Sequence, residues 1–297
     1  MILRITHETR YRYAEPVSLS GHLLYLRPRE NSRQRLHHFD LSISPDPILS
    51  RVEDPLDNER WTIRFPENTD HLDLVSTAVV ETLESNPFNF VLDPSAIESP
   101  FEYAPELKFA LGPYLAPPFD DTQRALQAWL DQNFAERPRN TVEMLTAFSQ
   151  LIYERLTYVR REERGIQPSL TTLELGGGAC RDFAVLFTEL CRTLGLAARF
   201  VSGYMHAPDG DDHRTIGAMH AWAEVYLPGA GWKAIDPTHG IWCDDRFVPV
   251  AHGAQAEVVN PVQGDYFAPH PVASSLEVSV IVEPTELPAS SQQQQQS

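Results

Sequence analysis

Apolar and polar residues alternate along the first hundred positions. The stretches 2–5, 9–13, 22–26, 39–43, 61–65 and 72–80 each set every second side chain on one face, the pattern of a half-buried strand. Turn-rich segments such as Ser44-Pro45-Asp46-Pro47 and Asp54-Pro55-Leu56-Asp57-Asn58 separate them. Short strands at this spacing predict a β-sandwich or an open barrel. Pro94, Pro100, Pro105, Pro113, Pro117 and Pro118 then crowd residues 94–118, which read as a linker wrapping the surface.

Beyond the linker the period lengthens. Leu126, Trp129, Leu130 and Phe134 recur at helical spacing behind Asp120, Asp121 and Thr122, which can cap a helix. A second helix is predicted over 141–153, with Met144, Leu145, Phe148, Leu151 and Ile152 as its apolar stripe. A third starts at Cys180, carries Phe183, Leu186, Phe187, Leu190 and Leu194, and stops at Gly195. Alternation returns at 198–204, 220–227, 232–236 and 276–282. Helices followed by antiparallel strands define an α+β order. The expected organisation is a β-rich domain over 1–100, a core with the C-terminal strands over 101–287, and a disordered glutamine-rich tail over 288–297.

Composition narrows the class. Hydrophobic residues at 42% and charged residues at 22% suit a globular chain with a real core. A net charge of -17 leaves no basic face for a phosphate backbone, so nucleic acid is not an expected partner. No apolar run reaches the ~20 residues that span a bilayer, and no membrane partner is expected. The first residues lack a basic segment followed by an apolar one. Three cysteines cannot build a disulfide framework, so the cytoplasm is the expected compartment. Nothing in the pattern sets an oligomeric state.

The chemistry lies in three segments. Cys180 follows Gly176, Gly177, Gly178 and Ala179 and opens the third helix. Glycines permit a tight loop there, and first-turn amides have no intrahelical acceptor, so they can face a thiolate or an oxyanion. A free thiol with pKa near ~8.5 is mostly protonated at neutral pH and becomes nucleophilic beside a histidine. His220 begins one predicted strand and Asp236 ends the next. If Tyr226 pairs with Trp232, then Trp222 faces Asp236 and His220 faces Thr238. Asp236 would then lie diagonally across from His220 on one face, at roughly 7–8 Å between backbones. A one-residue slip would part them, so the pairing needs an odd-length connection or a bulge.

These segments resemble the transglutaminase-like superfamily, in particular its bacterial branch, which joins an N-terminal β-domain to the core. The likeness rests on Gly178-Ala179-Cys180-Arg181-Asp182-Phe183-Ala184, on Ala198 through Tyr204, on His220-Ala221-Trp222-Ala223-Glu224-Val225 and on Asp236-Pro237-Thr238. It implies a β-sandwich-like domain followed by a papain/transglutaminase-like core of helices packed on an antiparallel sheet. It also implies Cys180 as nucleophile, His220 as base and Asp236 as orienting acid. The implied function is a thiol-dependent acyl transfer through a thioester. The likeness does not fix the acceptor; hydrolysis of an amide, peptide or isopeptide bond in a peptide or protein is expected because water is always available and no amine site is identified. Two alternatives stay open: an amine-accepting transglutaminase, and a catalytically silent scaffold.

Other residues read as structural. Asp182 suits the first helical turn, and Cys191 falls on the apolar stripe. Cys243 has no activating neighbour in the sequence. A zinc set drawn from Cys180, Cys191, Cys243, His206, His213 and His239 lacks paired spacing, so no metal and no cofactor are expected. No acidic loop of the EF-hand type occurs. Residues 207–217 read as a surface loop flanking the cleft.

Overall fold

A computed structural model describes residues 1–161, 163–207 and 219–287. The tail at 288–297 and most of the 207–217 loop therefore lie outside the described residues. The N-terminal region is a β-sandwich. Its larger sheet has Ile2–Leu19 at the centre, paired with Thr69–Thr82, which pairs in turn with Gln34–Ser44. The smaller sheet contains His22–Leu24, Glu59–Arg64 and Ile48–Glu53. Tyr13, Val17, Leu19, Leu24, Ile63, Leu72 and Leu74 fill the space between them. The stretches 2–5 and 9–13 are parts of one 18-residue strand. Pro16, which cannot donate to a ladder, sits where the pairing with Thr69–Thr82 shifts between Arg12 and Val17.

One organisational expectation is corrected. The strand Ser274–Pro284 pairs with Ile2–Leu19 from Leu3↔Pro284 to Tyr13↔Ser274, and Tyr266–Phe267 and Val262–Gln263 also join the N-terminal sheets. The C-terminal strands thus belong to the β-layer rather than to the core. The physical reason is an edge: the first strand would otherwise present a row of unpaired amides and carbonyls. Nor is the sandwich isolated. Leu3, Ile5, Ala78 and Val80 share a buried cluster with Ala184, Phe200, Tyr204, Ala221 and Val248.

The core is an antiparallel sheet in the order Ile241–Trp242, Gly231–Asp236, His220–Leu227, Ala198–Met205, Phe247–Gly253. The helices Asp120–Asn133, Thr141–Arg155 and Cys180–Thr193 bury Leu126, Leu130, Leu145, Phe148, Phe187 and Leu190 against it, in one cluster with Ala223, Val225 and Ile235. The chain is therefore α+β, as its pattern predicts. Two local readings differ. Asp120 and Asp121 occupy the first helical turn, after an N-cap at Phe119, and favour the helix dipole instead of capping. The proline-rich linker forms short helices at Pro105–Ala110 and Gly112–Leu115, because proline is preorganised for a helix start. Tyr103 in this segment donates to Tyr226 O at 2.8 Å and accepts from Ala197 N at 2.9 Å, pinning it to the core.

Candidate active site

The approach to Cys180 is built by close backbone contacts. The helix Ser169–Leu175 ends at Gly176 with φ 64°, a conformation suited to glycine. Gly177 and Gly178 then run parallel to Thr157 and Tyr158, and a Cβ on Gly177 would stand 2.6 Å from Thr157 O. Ala179 is the N-cap and Cys180 the first helical residue. Asp182 is wholly buried and fastens this corner. It accepts from Ala179 N at 2.9 Å and from Gln167 N at 2.8 Å, and Arg161 Nη1 donates to both its oxygens at 2.8 and 2.7 Å. Its role is structural, as its position predicts: it holds the helix entry in place.

The histidine and aspartate strands pair as Tyr226↔Trp232 through Ala223↔Ile235, with a three-residue connection between Leu227 and Gly231. Extending this ladder by one step sets Asp236 opposite Trp222, diagonal to His220. The predicted register therefore holds, through the odd-length connection and without a bulge. His220 Nε2 donates to Asp236 Oδ2 at 2.8 Å, with both side chains shut off from solvent. Asp236 Oδ1 accepts from Thr238 N at 2.8 Å, so the Asp-Pro-Thr turn orients the carboxylate. The other ring nitrogen, His220 Nδ1, has no nitrogen or oxygen partner among the described residues. Cys180 acts on the ring electrostatically, as one of the groups that favour its charged form.

Electrostatics follow from this enclosure. Burial by itself would lower the His220 pKa, but the Asp236 charge and hydrogen bond outweigh it, with the Cys180 contacts adding to them, and the value is raised to about 10. Burial would raise the Asp236 carboxyl; His220 and then His239 hold it well below the usual carboxylate range. The other two thiols are driven towards the neutral form. Cys191 is pushed up by burial, and Cys243 by burial and by the Asp236 and Glu224 charges.

Sequence reasoning named His239 only as a discounted zinc ligand and missed it as a partner of Asp236. Its Nδ1 donates to Asp236 Oδ2 at 2.5 Å, and its ring lies 5.4 Å from that of His220. The only signal was its place three residues after Asp236, across a proline turn. Among the described residues, His220, Asp236 and His239 are the one group of side chains spaced to hold a metal ion. The cysteines take no part in it, and both imidazoles are engaged with the carboxylate by direct hydrogen bonds.

Fold and sequence together define the class. Residues 3–81 match the bacterial transglutaminase-like N-terminal region, and residues 128–237 match the transglutaminase-like superfamily core. The chain belongs to this bacterial transglutaminase-like family. It is 31% identical over 312 residues to an uncharacterised protein of Mycobacterium tuberculosis, covering 95% of this chain and 93% of the relative. A protein of Mycobacterium leprae is 26% identical over 298 residues, covering 96% and 99%. Among solved structures, a candidate cysteine protease from Cytophaga hutchinsonii shares the fold with a TM-score of 0.74 at 20% identity, covering 97% of this chain and 92% of its own.

Proposed function

We propose that the protein is a thiol-dependent acyl-transfer enzyme in which Cys180 is the nucleophile, His220 the acid and base, and Asp236 the orienting group. The observation that supports this reading is the asymmetry of the His220 ring: Nε2 is bound to Asp236, and the buried Nδ1 has no hydrogen-bond partner among the described residues, so in this proposal it serves the thiol. In the first step the Cys180 thiolate attacks an amide carbonyl, a carbon–sulfur bond forms, and the oxygen takes the negative charge. In this proposal the Cys180 amide, in the first turn of its helix where amides lack an intrahelical acceptor, receives that oxyanion. Protonated His220 then gives its proton to the leaving amine, and the carbon–nitrogen bond breaks to leave a thioester.

Neutral His220 next takes a proton from water, which attacks the thioester and releases the acid and the thiol. The substrate class is thus an amide, peptide or isopeptide bond in a peptide or protein. In this proposal the sandwich frames access to the thiol, because Met219, next to His220, packs into clusters that include sandwich residues. The cytoplasm is the proposed setting, where Cys180, Cys191 and Cys243 would remain free thiols.

The test is a panel of peptide and amide donors with and without a primary amine, following released ammonia or amine and the mass of the intact protein. Hydrolysis predicts a Cys180-bound acyl adduct that decays to acid in both arms. Decay only into the amine product would make the enzyme a transglutaminase. Absence of any adduct, with three equally sluggish cysteines towards a small thiol electrophile, would leave a scaffold.

A further inference from the structure

A second polar cavity opens on the same sheet, away from Cys180. It has a volume of about 610 Å³, and its walls come from residues 29–33 and 83–89 on one side and from Arg199, Glu224, Trp232, Lys233 and His252 on the other. Cavities of roughly 300–1,000 Å³ are the usual size of small-molecule sites. Glu224 follows His220 by four residues, about 13 Å along a strand. Trp222 and Phe247, with ring centroids 5.4 Å apart, stand between the two places. The gap beside them holds only about 40 Å³.

The charge of this cavity runs against that of the chain. Arg29, Arg33, Arg199 and Lys233 line it with two carboxylates, Glu84 and Glu224, which leaves an excess of two positive charges in a protein of net charge -17. Glu224 is buried and already satisfied: Arg199 Nε donates to its Oε2 at 2.7 Å and Arg33 Nη2 to its Oε1 at 2.8 Å. Burial opposes its charge, but Arg199 and Arg33 lower its pKa to about 2. One carboxylate offsets only one of these two arginines and Glu84 offsets Lys233, so the excess rests on Arg29 and on the Arg33 and Arg199 pair. Among the described residues the hydrogen bonds of Arg29 use only Nη1, to Asn58 Oδ1 at 2.8 Å and Leu56 O at 3.5 Å. Lys233 Nζ meets Glu84 Oε1 at 3.5 Å and lies 4.7 Å from the centroid of the Phe90 ring.

The neutral lining points the same way. Asn31 Oδ1 accepts from Arg33 N and Gln34 N, and Asn86 Oδ1 accepts from Phe88 N, so both amides keep their NH₂ donors for something else. His252 is buried, and its pKa is pushed down to about 3 by burial and then by Arg199 and Arg29, so it lines the cavity as a neutral ring and adds nothing to the charge. Spare donors and spare positive charge, with the local carboxylates tied up, select an acceptor-rich anion.

We propose that this cavity is a binding site for a polar small molecule carrying a dianionic oxyanion group, a phosphate ester or a dicarboxylate. Arg29 and the surplus charge of the Arg33 and Arg199 pair hold the anion, Lys233 turns to it from Glu84, and the Asn31 and Asn86 amides add neutral hydrogen bonds. Glu224 is a positioning residue that holds Arg33 and Arg199 as the back wall. The site stands independently of the thiol reading.

The test is calorimetric titration of the full chain at low ionic strength with inorganic phosphate, glycerol 3-phosphate and succinate, and with glycerol as the uncharged control. Saturable one-to-one binding of at least one anion, weakened by salt, is the expected result. Arg29→Gln and Lys233→Gln should each weaken it by about tenfold or more, the loss of one charge-assisted contact. Arg29→Lys should restore part of the loss, while Arg124→Gln on a distant helix and Cys180→Ala should leave affinity unchanged. Preference for glycerol 3-phosphate identifies a phosphate ester, and preference for succinate a dicarboxylate. Should Arg29→Gln fail to fold, Lys233→Gln carries the test alone. No saturable binding of any anion, or unchanged affinity in folded variants, overturns the proposal.

Discussion

His220 and Glu224 lie four residues apart on one face of one strand, both almost fully buried and both in ion pairs, yet their surroundings make them opposites. Around His220 the partner is a single carboxylate, bound to one ring nitrogen, and the other nitrogen has no hydrogen-bond partner among the described residues. Around Glu224 both carboxylate oxygens are taken by guanidinium groups, which do not release protons in proteins. The first arrangement can move a proton. The second can only hold charge in place. A strand built on one alternating pattern thus carries proposed chemistry at its beginning and fixed electrostatics further along, and the difference comes from what the neighbouring elements bring to each position.

The sharpest way to break this comparison is at the thiol. Cys180→Ala should abolish the acyl-enzyme adduct in intact-protein mass spectra, whereas Cys191→Ala and Cys243→Ala should leave turnover within a few-fold of wild type. An adduct surviving in Cys180→Ala would move the nucleophile elsewhere. His220→Ala should lose nearly as much turnover as Cys180→Ala, because both proton transfers pass through the ring. Asp236→Asn should retain more than either, with a loss on the order of 10²–10⁴-fold in kcat, since it orients the imidazole without breaking bonds. Equal losses for Asp236→Asn and His220→Ala would contradict the orienting role.

Glu224 should respond in stability. Glu224→Gln leaves the Arg199 and Arg33 charges without their carboxylate, and loss of one member of a buried pair costs about 3–5 kcal/mol. Urea unfolding measures this, and at a temperature where the variant is folded its adduct formation should match wild type. A stability change below about 1 kcal/mol, typical of exposed pairs, would mean the network is solvated.

A smaller effect separates the two places by pH. The folded pKa of His220 is raised to about 10 from 6.5, so its contribution to stability is full below about pH 6.5 and disappears as pH rises through about 10. The folded pKa of Glu224 is lowered to about 2 from 4.5, so its contribution is full above about pH 4.5 and disappears as pH falls through about 2. Wild-type unfolding free energy should therefore fall with rising pH between about 6.5 and 10, and His220→Gln should flatten that limb while Glu224→Gln leaves it intact. An alkaline limb that persists in His220→Gln would assign it to another group.

Much of the proposed site was legible before any tertiary contact was known. The order Cys180, His220, Asp236 and the glycines before Cys180 are local features, and the Tyr226↔Trp232 register follows from a turn of known length between two alternating strands. His239 was not legible as a partner of Asp236, because nothing in its spacing says which way the chain leaves a proline turn. The Arg29 segment was equally silent. Its charges acquire meaning only when the sandwich brings them to Arg199 and Glu224, well over a hundred residues along the chain.

By itself the sequence determined the α+β class, the helix that begins at Cys180 and the burial of Cys191, and it tied the facing of His220 and Asp236 to one strand register. These depend on periodicity and short connections, which act over one turn or one hairpin. The tertiary structure decided that Ser274–Pro284 closes the edge of the first strand, which His220 nitrogen Asp236 takes, and where unspent positive charge collects in an acidic chain. Those outcomes depend on which distant backbone edges and side chains meet when the layers pack. Alternation marks a residue as facing inward; only the packed neighbour decides whether it finds a carboxylate, a guanidinium or a thiol there.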